Sequence, residues 1–238
     1  MTNFNKYSKD HIHFYGESAP ILLIDLISRV NPKSLADFGC GDGAILFDLQ
    51  RKCLLRRIDY VTAIDLSETR LERVKKYTVN VKTICSDVCG VKQLKDGQLD
   101  LVMCTQVIEH VESDEKLLKE IYRVLKPGGY LYISSVVKKW YDRWIYRCNG
   151  KVTCDPTHLR EYKSIEEFNQ LIKNNKFKIE KTRIYQFKPS LMNTFKRILI
   201  KYRIISEDNA RNSKILSFFS NLKIPAPGYF IVESLSTK

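Results

Sequence analysis

Asp37-Phe38-Gly39-Cys40-Gly41-Asp42-Gly43 is the stretch on which the reading of this chain turns. It stands between residues 34–38, a short apolar run that predicts a buried strand, and residues 44–52, whose apolar spacing predicts a helix. Glycines at alternate positions permit a tight turn and bring a ligand against the main chain, where any Cβ would intrude. The same stretch reads Gly39-x-Gly41-x-x-Ala44, an acceptable dinucleotide fingerprint, so the glycines alone leave NAD open. Asp37 and Asp42 shift the balance. A pyrophosphate over this turn would meet added negative charge, whereas the ammonium of an amino-acid moiety gains from a nearby carboxylate.

Outward from the turn, short apolar strands alternate with amphipathic helices. Residues 19–30 carry apolar side chains at helical spacing until Asn31-Pro32 stops them. Strands are predicted at 60–64, 81–85, 99–104 and 130–137, and a helix at 68–77. Leu117, Leu118, Ile121, Val124 and Leu125 form one apolar face of a helix that ends at Pro127-Gly128-Gly129. Strands near 177–185 and 228–235 complete the set. Such alternation requires crossover connections. It predicts an α/β, Rossmann-like, doubly wound and mostly parallel sheet with helices on both faces and ligands beyond the carboxyl ends of the strands. Asp65 follows the second strand, where a carboxylate accepts both hydroxyls of a ribose in NAD and adenosylmethionine sites alike. Asp87 follows the third, where it can accept from an exocyclic adenine amine while the Val88 N–H meets a ring nitrogen.

The chain's 238 residues are 44% apolar and 28% charged, the balance of a folded domain with room for one α/β unit and its insertions. No window approaches the roughly 18 consecutive apolar residues of a membrane span. Residues 1–16 are polar and aromatic, unlike a secretory signal, so a cytoplasmic protein is expected. Seven cysteines without a Cys-x-x-Cys pair indicate neither a disulfide framework nor a structural zinc. They read as small core hydrophobes, Cys85 and Cys104 above all. The net charge of +13 is uneven. Residues 1–137 hold 19 basic and 18 acidic side chains, whereas 138–203 hold 17 basic and 6 acidic. The basic field therefore follows the glycine turn's half of the chain and suggests an anionic substrate, a nucleic acid, a membrane surface or a solvated face.

Asp37 to Gly43, Asp65, Asp87, Leu99-Asp100-Leu101-Val102, Ile108-Glu109-His110-Val111 and Leu125-Lys126-Pro127-Gly128-Gly129 resemble, in order and spacing, the successive motifs of class I S-adenosylmethionine-dependent methyltransferases. The resemblance covers residues 30–137 well and the rest loosely. With Asp155-Pro156-Thr157-His158-Leu159-Arg160-Glu161-Tyr162 it is most similar to the type 11 and 23 groups, and loosely to the ubiquinone-pathway O-methyltransferases. It implies S-adenosyl-L-methionine as cofactor and a seven-stranded sheet with a C-terminal antiparallel strand and a small helical cap. It implies one domain over 1–238, with cap or substrate-side insertions at 138–164 and 188–224. It places the methionine part against Asp37, Gly39, Cys40, Gly41 and Gly43, the ribose at Asp65 and Leu66, and the adenine at Asp87 and Val88. Thr105 and Gln106 border both methionine and substrate.

Methyl transfer from an activated sulfonium needs mainly an in-line approach of about 3 Å. A hydroxyl acceptor gains from a base, and His158 or His110 is expected to supply it. Relatives with Glu-x-x-Glu-His and a later His bind a divalent metal. Here the first acid is replaced by Gln106, so no metal is expected, and Glu109, His110 and His158 are the ligands that remain if one binds. Lys138 to Arg147 interleaves basic residues with both tryptophans, and 191–205 joins apolar to basic side chains. Both read as substrate cap with peripheral contact to lipid headgroups. The expected activity is methyl transfer, at oxygen, to a small or lipid-linked acceptor. Two other readings stand beside it: an RNA methyltransferase using 138–203 as a phosphate track, and a cofactor-binding regulatory protein that has lost catalysis.

Overall fold

A computed structural model describes residues 18–141, 155, 157–188 and 225–238, the backbone of 146–148 and 151–153, and residues 199, 200, 202, 204–206 and 209. The chain runs α1 (Ile21–Val30), β1 (Ser34–Phe38), α2 (Ala44–Arg51), β2 (Tyr60–Asp65), α3 (Glu68–Tyr77), β3 (Val81–Cys85), β4 (Leu99–Thr105), α4 (Asp114–Val124) and β5 (Leu125–Lys138). A hairpin, β6 (Tyr146–Cys148) and β7 (Lys151–Thr153), precedes α5 (Ile165–Asn174), β8 (Lys178–Gln186) and β9 (Tyr229–Thr237).

Seven strands form one sheet in the order β3-β2-β1-β4-β5-β9-β8. The pairs from β3 to β5 are parallel, and β9 runs antiparallel to both β5 and β8. The chain winds outward from β1 to β3 and then returns to β4 beside β1, so the strand order reverses between those two. Ligands of open α/β sheets bind at that reversal, beyond the carboxyl ends. The glycine turn after β1 and the turn after β4 open there side by side.

Every residue of β1 is buried, because helices cover both faces. Leu22, Leu26, Leu46, Leu49, Leu71 and Val74 of α1–α3 pack with Leu35, Leu101 and Tyr132 on one face. Leu117, Ile121, Phe168 and Ile172 of α4 and α5 pack with Ala36, Phe38, Val102 and Ile133 on the other. Local chemistry agrees with these packings. Ser67, Ser113 and Ser164 cap the amino ends of α3, α4 and α5 by accepting from backbone N–H groups, and acidic residues follow each cap in the first turn.

Two expectations change. The helix over 115–125 ends at Val124, ahead of Pro127-Gly128-Gly129, because Leu125 already pairs with Leu99. Pairing resumes at Leu101 with Tyr130, leaving Lys126 to Gly129 as an irregularity inside β5. Cys85 is exposed, since β3 is an edge strand with one face uncovered, whereas Cys104 is buried as expected. In the 138–164 insertion the described residues form the β6–β7 hairpin and a loop, without a helix. Residues 1–16, 142–145 with Trp144, and most of 188–224 lie outside the described residues. Within the basic region, Lys173, Lys176, Lys178 and Lys181 are exposed along the end of α5 and the edge strand β8. Lysines there keep an unpaired strand edge solvated. No described helix is long and apolar enough to cross a membrane.

Candidate active site

The turn after β1 is held by the N–H groups of Gly39 and Cys40, which both donate to the Ile64 carbonyl at the end of β2. Gly39 has φ +74°, and a Cβ there would lie 2.4 Å from a Val107 methyl, so that space is filled by the protein itself. Gly43 likewise packs against Val74. At Gly41, with φ +54°, the nearest atom to an added Cβ is Arg70 Nη1 at 3.9 Å, so the close approach of a ligand rests on this glycine. Cys40 is buried, and burial pushes its thiol well above the usual range.

Asp65 joins two loops: Oδ2 accepts from Gly41 N and Oδ1 from Ser67 N, each at 2.9 Å, with Arg70 Nη1 3.9 Å from Oδ2. Burial raises its pKa despite Arg70 and the two N–H donors. Asp37 is raised further, by burial first and by Asp65 second, and its Oδ1 is buried without a hydrogen-bond partner among the described residues. A cation placed here would restore both carboxylates to their charged form. Asp42, expected to share that role, instead meets Arg73 Nη1 at 3.0 Å, so Asp37 carries the argument alone. Beside β2, Asp87 is exposed and its Oδ1 accepts from Cys89 N at 2.8 Å. Val88 is buried, and Leu66 leaves an apolar, 54% exposed side chain next to Asp65. Thr105 ends β4. Gln106 follows in the left-handed region at φ 55°, with a buried Nε2 that also lacks a partner among the described residues. The structure thus gathers the sequence-predicted cofactor residues along the carboxyl ends of β1–β4. A shallow depression lined by Lys33, Asp100, Lys126 and Tyr130 lies at the opposite end of the strands.

Beyond Gln106 the chain makes a turn, with His110 N donating to Val107 O, that places a fully buried Glu109 and a partly buried His110 after the carboxyl end of β4. The loop carrying His158 is stapled onto it. Leu159 N donates to Glu109 O at 2.9 Å, and the Arg160 guanidinium donates to the carbonyls of Ile108, Val111 and Glu112 at 2.6–2.9 Å. The two imidazoles meet edge-on, centroids 4.8 Å apart. Ligand-type atoms of Glu109, His110 and His158 all lie within 4.8 Å of one another.

Hydrogen-bond bookkeeping assigns the tautomers. Thr157 Oγ1 gives its one proton to Asp155 Oδ1 at 2.5 Å, so toward His110 Nδ1, 2.9 Å away, it can only accept. Nδ1 of His110 therefore carries the hydrogen and Nε2 the lone pair. His158 Nδ1 faces Glu161 Oε1 at 2.9 Å, a carboxylate that accepts only, with the same result. Tyr229 and Lys138 hold Glu161 in turn. Burial and the neighbouring His158 hold His110 down to about 4, so it is neutral at pH 7. His158 is raised: burial opposes its charge, but the bond to Glu161 and the nearby acids outweigh it. Burial pushes the Glu109 carboxyl up to about 7; Oε2 accepts from Ser135 Oγ at 2.9 Å and Oε1 has no partner among the described residues. Ser135, Thr157, Arg160 and Glu161 have no role in the sequence reading. For Thr157, Arg160 and Glu161 the only signal is the polar density of the 155–162 segment, and Ser135, inside β5, carries none.

The reversal in strand order, the glycine turn and the acids closing β1–β3 define a nucleotide-type site on a Rossmann-like sheet. The family model described as "Methyltransferase domain" matches residues 36–133, which hold all of it. The ubiquinone biosynthesis O-methyltransferase of Coxiella burnetii is 26% identical over 163 residues, covering 63% of this chain and 66% of that protein. The thiol S-methyltransferase TMT1B of Rattus norvegicus is 32% identical over 115 residues, 48% of this chain and 47% of that one. This chain thus spans just under two thirds of the first relative's length and about half of the second's. Among solved structures, phosphoethanolamine N-methyltransferase 2 of Haemonchus contortus, in complex with phosphomonomethylethanolamine and S-adenosylhomocysteine, superposes with a TM-score of 0.54 at 19% identity. It covers 90% of this chain and 52% of that one. Residues 36–133 of this chain are thus similar to a methyltransferase domain, and they sit on a Rossmann-like sheet.

Proposed function

We propose that this protein transfers a methyl group from S-adenosylmethionine to the oxygen of a small or lipid-linked hydroxyl acceptor. The observation that carries the reading is the convergence of Glu109, His110 and His158, whose carboxylate and imidazole atoms lie within 4.8 Å of one another just beyond Gln106, with His110 fixed through Nδ1 so that its Nε2 carries the lone pair. When bound, the cofactor's sulfonium supplies the activated methyl. Asp37 takes the ammonium of its methionine part and Gln106 Nε2 donates to the carboxylate, which satisfies both buried atoms that lack a partner. Asp65 accepts the ribose hydroxyls, Leu66 packs under the ring, and Asp87 with Val88 reads the adenine edge. Cys40, Thr105 and the glycine turn hold the methionine part in place.

At the acceptor end, His110 is neutral near pH 7 and offers Nε2 to the acceptor proton. Asp155 and Thr157 fix its ring, so the lone pair stays aimed as the acceptor arrives. The O- and S-methyltransferase relatives are both named for acceptors that lose a proton on methylation, which agrees with a base-lined mouth. Trp140, 93% exposed beside Lys138 and Lys139 at the start of the 138–164 insertion, is the contact this reading assigns to a lipid-linked substrate.

Calorimetry with S-adenosylhomocysteine and NAD, followed by incubation of a cell extract with methyl-labelled cofactor and separation of its lipid, RNA, protein and small-molecule fractions, tests the reading. Binding of the homocysteine form with label in base-stable small-molecule or lipid ethers is expected. NAD binding without adenosylhomocysteine binding, or label confined to RNA, would falsify it. Asp65→Ala is expected to weaken cofactor binding by tenfold or more.

A further inference from the structure

We infer that the amino-end rim of the sheet, opposite the methyl-donor site, is a docking track for single-stranded nucleic acid. The strand register runs level from Val61 of β2 through Leu35, Leu101, Tyr130 and Thr237 to Lys178 of β8. Six strands at about 4.8 Å spacing make this row about 24 Å long. Lys33 stands just before it at β1 and Lys176 at β8, while Arg56 and Arg57 end a short 3-10 turn (Leu54–Arg57) ahead of β2. Arg51 closes α2 beside that turn. The segments are tied together: Lys33 O accepts from Asp59 N and Tyr60 N at 2.9 and 3.1 Å, and Gln50 Oε1 accepts from Val79 N at 2.8 Å.

The charges on this rim do not cancel. Asp48, Asp100 and Glu180 are each held by a cation, Lys52, Lys126 and Arg29 in turn, at 2.6–2.9 Å. Asp59 is exposed and has no such partner among the described residues. Against it stand Lys33, Arg51, Arg56, Arg57, Lys176 and Lys178, all exposed and none in an ion pair among the described residues. Arg51 also complements the carboxyl end of α2. Lys33, Arg56 and Arg57 lie outside the α-helices, so helix dipoles do not account for them. A strip of one sign with its acids already neutralised attracts a polyanion.

The side chains select the polyanion. Arg51, Arg56 and Arg57 carry guanidinium forks, which suit phosphate oxygens. Tyr60, 72% exposed at the start of β2, offers a ring on which an unpaired base can stack. Tyr130 lines, with Lys33 and Lys126, the shallow depression at the middle of the row. Cations along a strip with rings between them fit a strand whose bases are free, whereas a duplex keeps its bases stacked inside. The exposed Trp140, a side chain of the kind that seats in a bilayer, follows the opposite, carboxyl end of β5. Five residues of β1 at about 3.3 Å each separate the two ends of the sheet by about 17 Å. A strand on the rim is therefore a partner and not the methyl acceptor, and the inference stands without the transfer reading above.

The test is fluorescence anisotropy of a labelled oligouridylate of about 20 nucleotides with the full chain, between about 50 and 200 mM salt. Binding that weakens with salt is expected, with a logarithmic slope of about −0.7 per phosphate neutralised. Arg51→Gln/Arg56→Gln/Arg57→Gln should lower affinity by about tenfold or more and make the slope shallower by about 2. Tyr60→Ala should lower affinity about fivefold at unchanged slope. Lys139→Gln/Lys163→Gln/Lys188→Gln removes the same charge at the carboxyl end and should cost less than about threefold. Thermal unfolding reports that each variant is folded, and S-adenosylhomocysteine affinity, expected to be unchanged throughout, is read separately. RNA binding that is absent, or lost equally in the two triple variants, overturns the inference, the second result showing attraction by net charge alone. Unchanged affinity in Tyr60→Ala overturns the single-strand assignment. Loss of flotation with phosphatidylglycerol vesicles in the arginine variant, with RNA binding intact, also overturns it and makes the rim a bilayer contact.

Discussion

Replacing Gly39 by alanine should destabilise the protein through two separable effects. The residue sits at φ +74°, where an L side chain costs about 1–2 kcal/mol. The new Cβ would also stand 2.4 and 2.8 Å from the two methyls of Val107, and overpacking of that kind costs about 1–3 kcal/mol. The expected loss is about 2–5 kcal/mol. With a urea m-value near the upper end of the usual range, about 3 kcal/mol/M, the unfolding midpoint should fall by about 1–2 M at unchanged m. Truncating Val107 removes the clash but leaves the backbone cost. Gly39→Ala/Val107→Ala should therefore recover the overpacking part, a coupling of about 1–3 kcal/mol in the double-mutant cycle, while about 1–2 kcal/mol persists. A Gly39→Ala midpoint within about 0.3 M of the parent would refute the left-handed and packing argument together. A large loss with no coupling to Val107 would refute the packing part.

Asp37→Asn should weaken S-adenosylhomocysteine tenfold or more while leaving adenosine affinity unchanged, because the lost charge faces only the amino-acid end; equal losses for both ligands in calorimetry would remove that assignment. Asp100 accepts from Lys33 N, Ser34 N, Ser34 Oγ and Lys126 Nζ at 2.6–2.9 Å. Burial raises its pKa, but Lys126 and Ser34 outweigh that and leave it lowered. A lowered carboxyl contributes stability that is present above its unfolded pKa of about 3.9 and disappears as pH falls through the folded value. Asp100→Asn should thus cost about 1–2 kcal/mol at pH 7, and its unfolding curve should converge on the parent's below about pH 4. Arg160→Ala leaves three carbonyls without their guanidinium donor. Hydrogen exchange at 107–112 and 157–162 should accelerate tenfold or more with the core strands unchanged, and lysine should not rescue it.

The fold was legible where burial alone dictates local structure. Residues 34–38 and 81–85, and the helix at 68–77, appear with those bounds, since an unbroken apolar run between turn residues or a Ser67 cap leaves little choice. The pattern misled where pairing partners decide. Pro127-Gly128-Gly129 reads as a helix stop, yet β5 begins at Leu125 because Leu99 waits opposite it. Cys85 looks apolar in sequence and is exposed because β3 falls at the sheet edge, a property of strand order rather than of the residue. At the site, Asp37 and Asp65 were legible as acids at strand ends. The pairing of Thr157 with His110 and of Arg160 with Ile108 joins segments 47 and 52 residues apart. It depends on a loop that leaves the sheet, makes a hairpin and returns, which no local spacing records.

Unsatisfied buried polar atoms are rare in folded proteins, and each costs about 1–3 kcal/mol. Asp37 Oδ1, Gln106 Nε2 and Glu109 Oε1 are three such atoms, and they occupy a short path from the end of β1 to the turn after β4. Their chemistry is ordered along that path. An acceptor comes first, then a donor, then an acceptor beside the His110 and His158 imidazoles. An amino-acid zwitterion answers the first two, ammonium to Asp37 and carboxylate to Gln106. Only a cation or an acidic proton answers the third. The Glu109 site therefore does not duplicate the Asp37 site, and one ligand end cannot fill both. On the transfer reading these are two demands of different kind, one answered by the methyl donor and the other by what activates the acceptor.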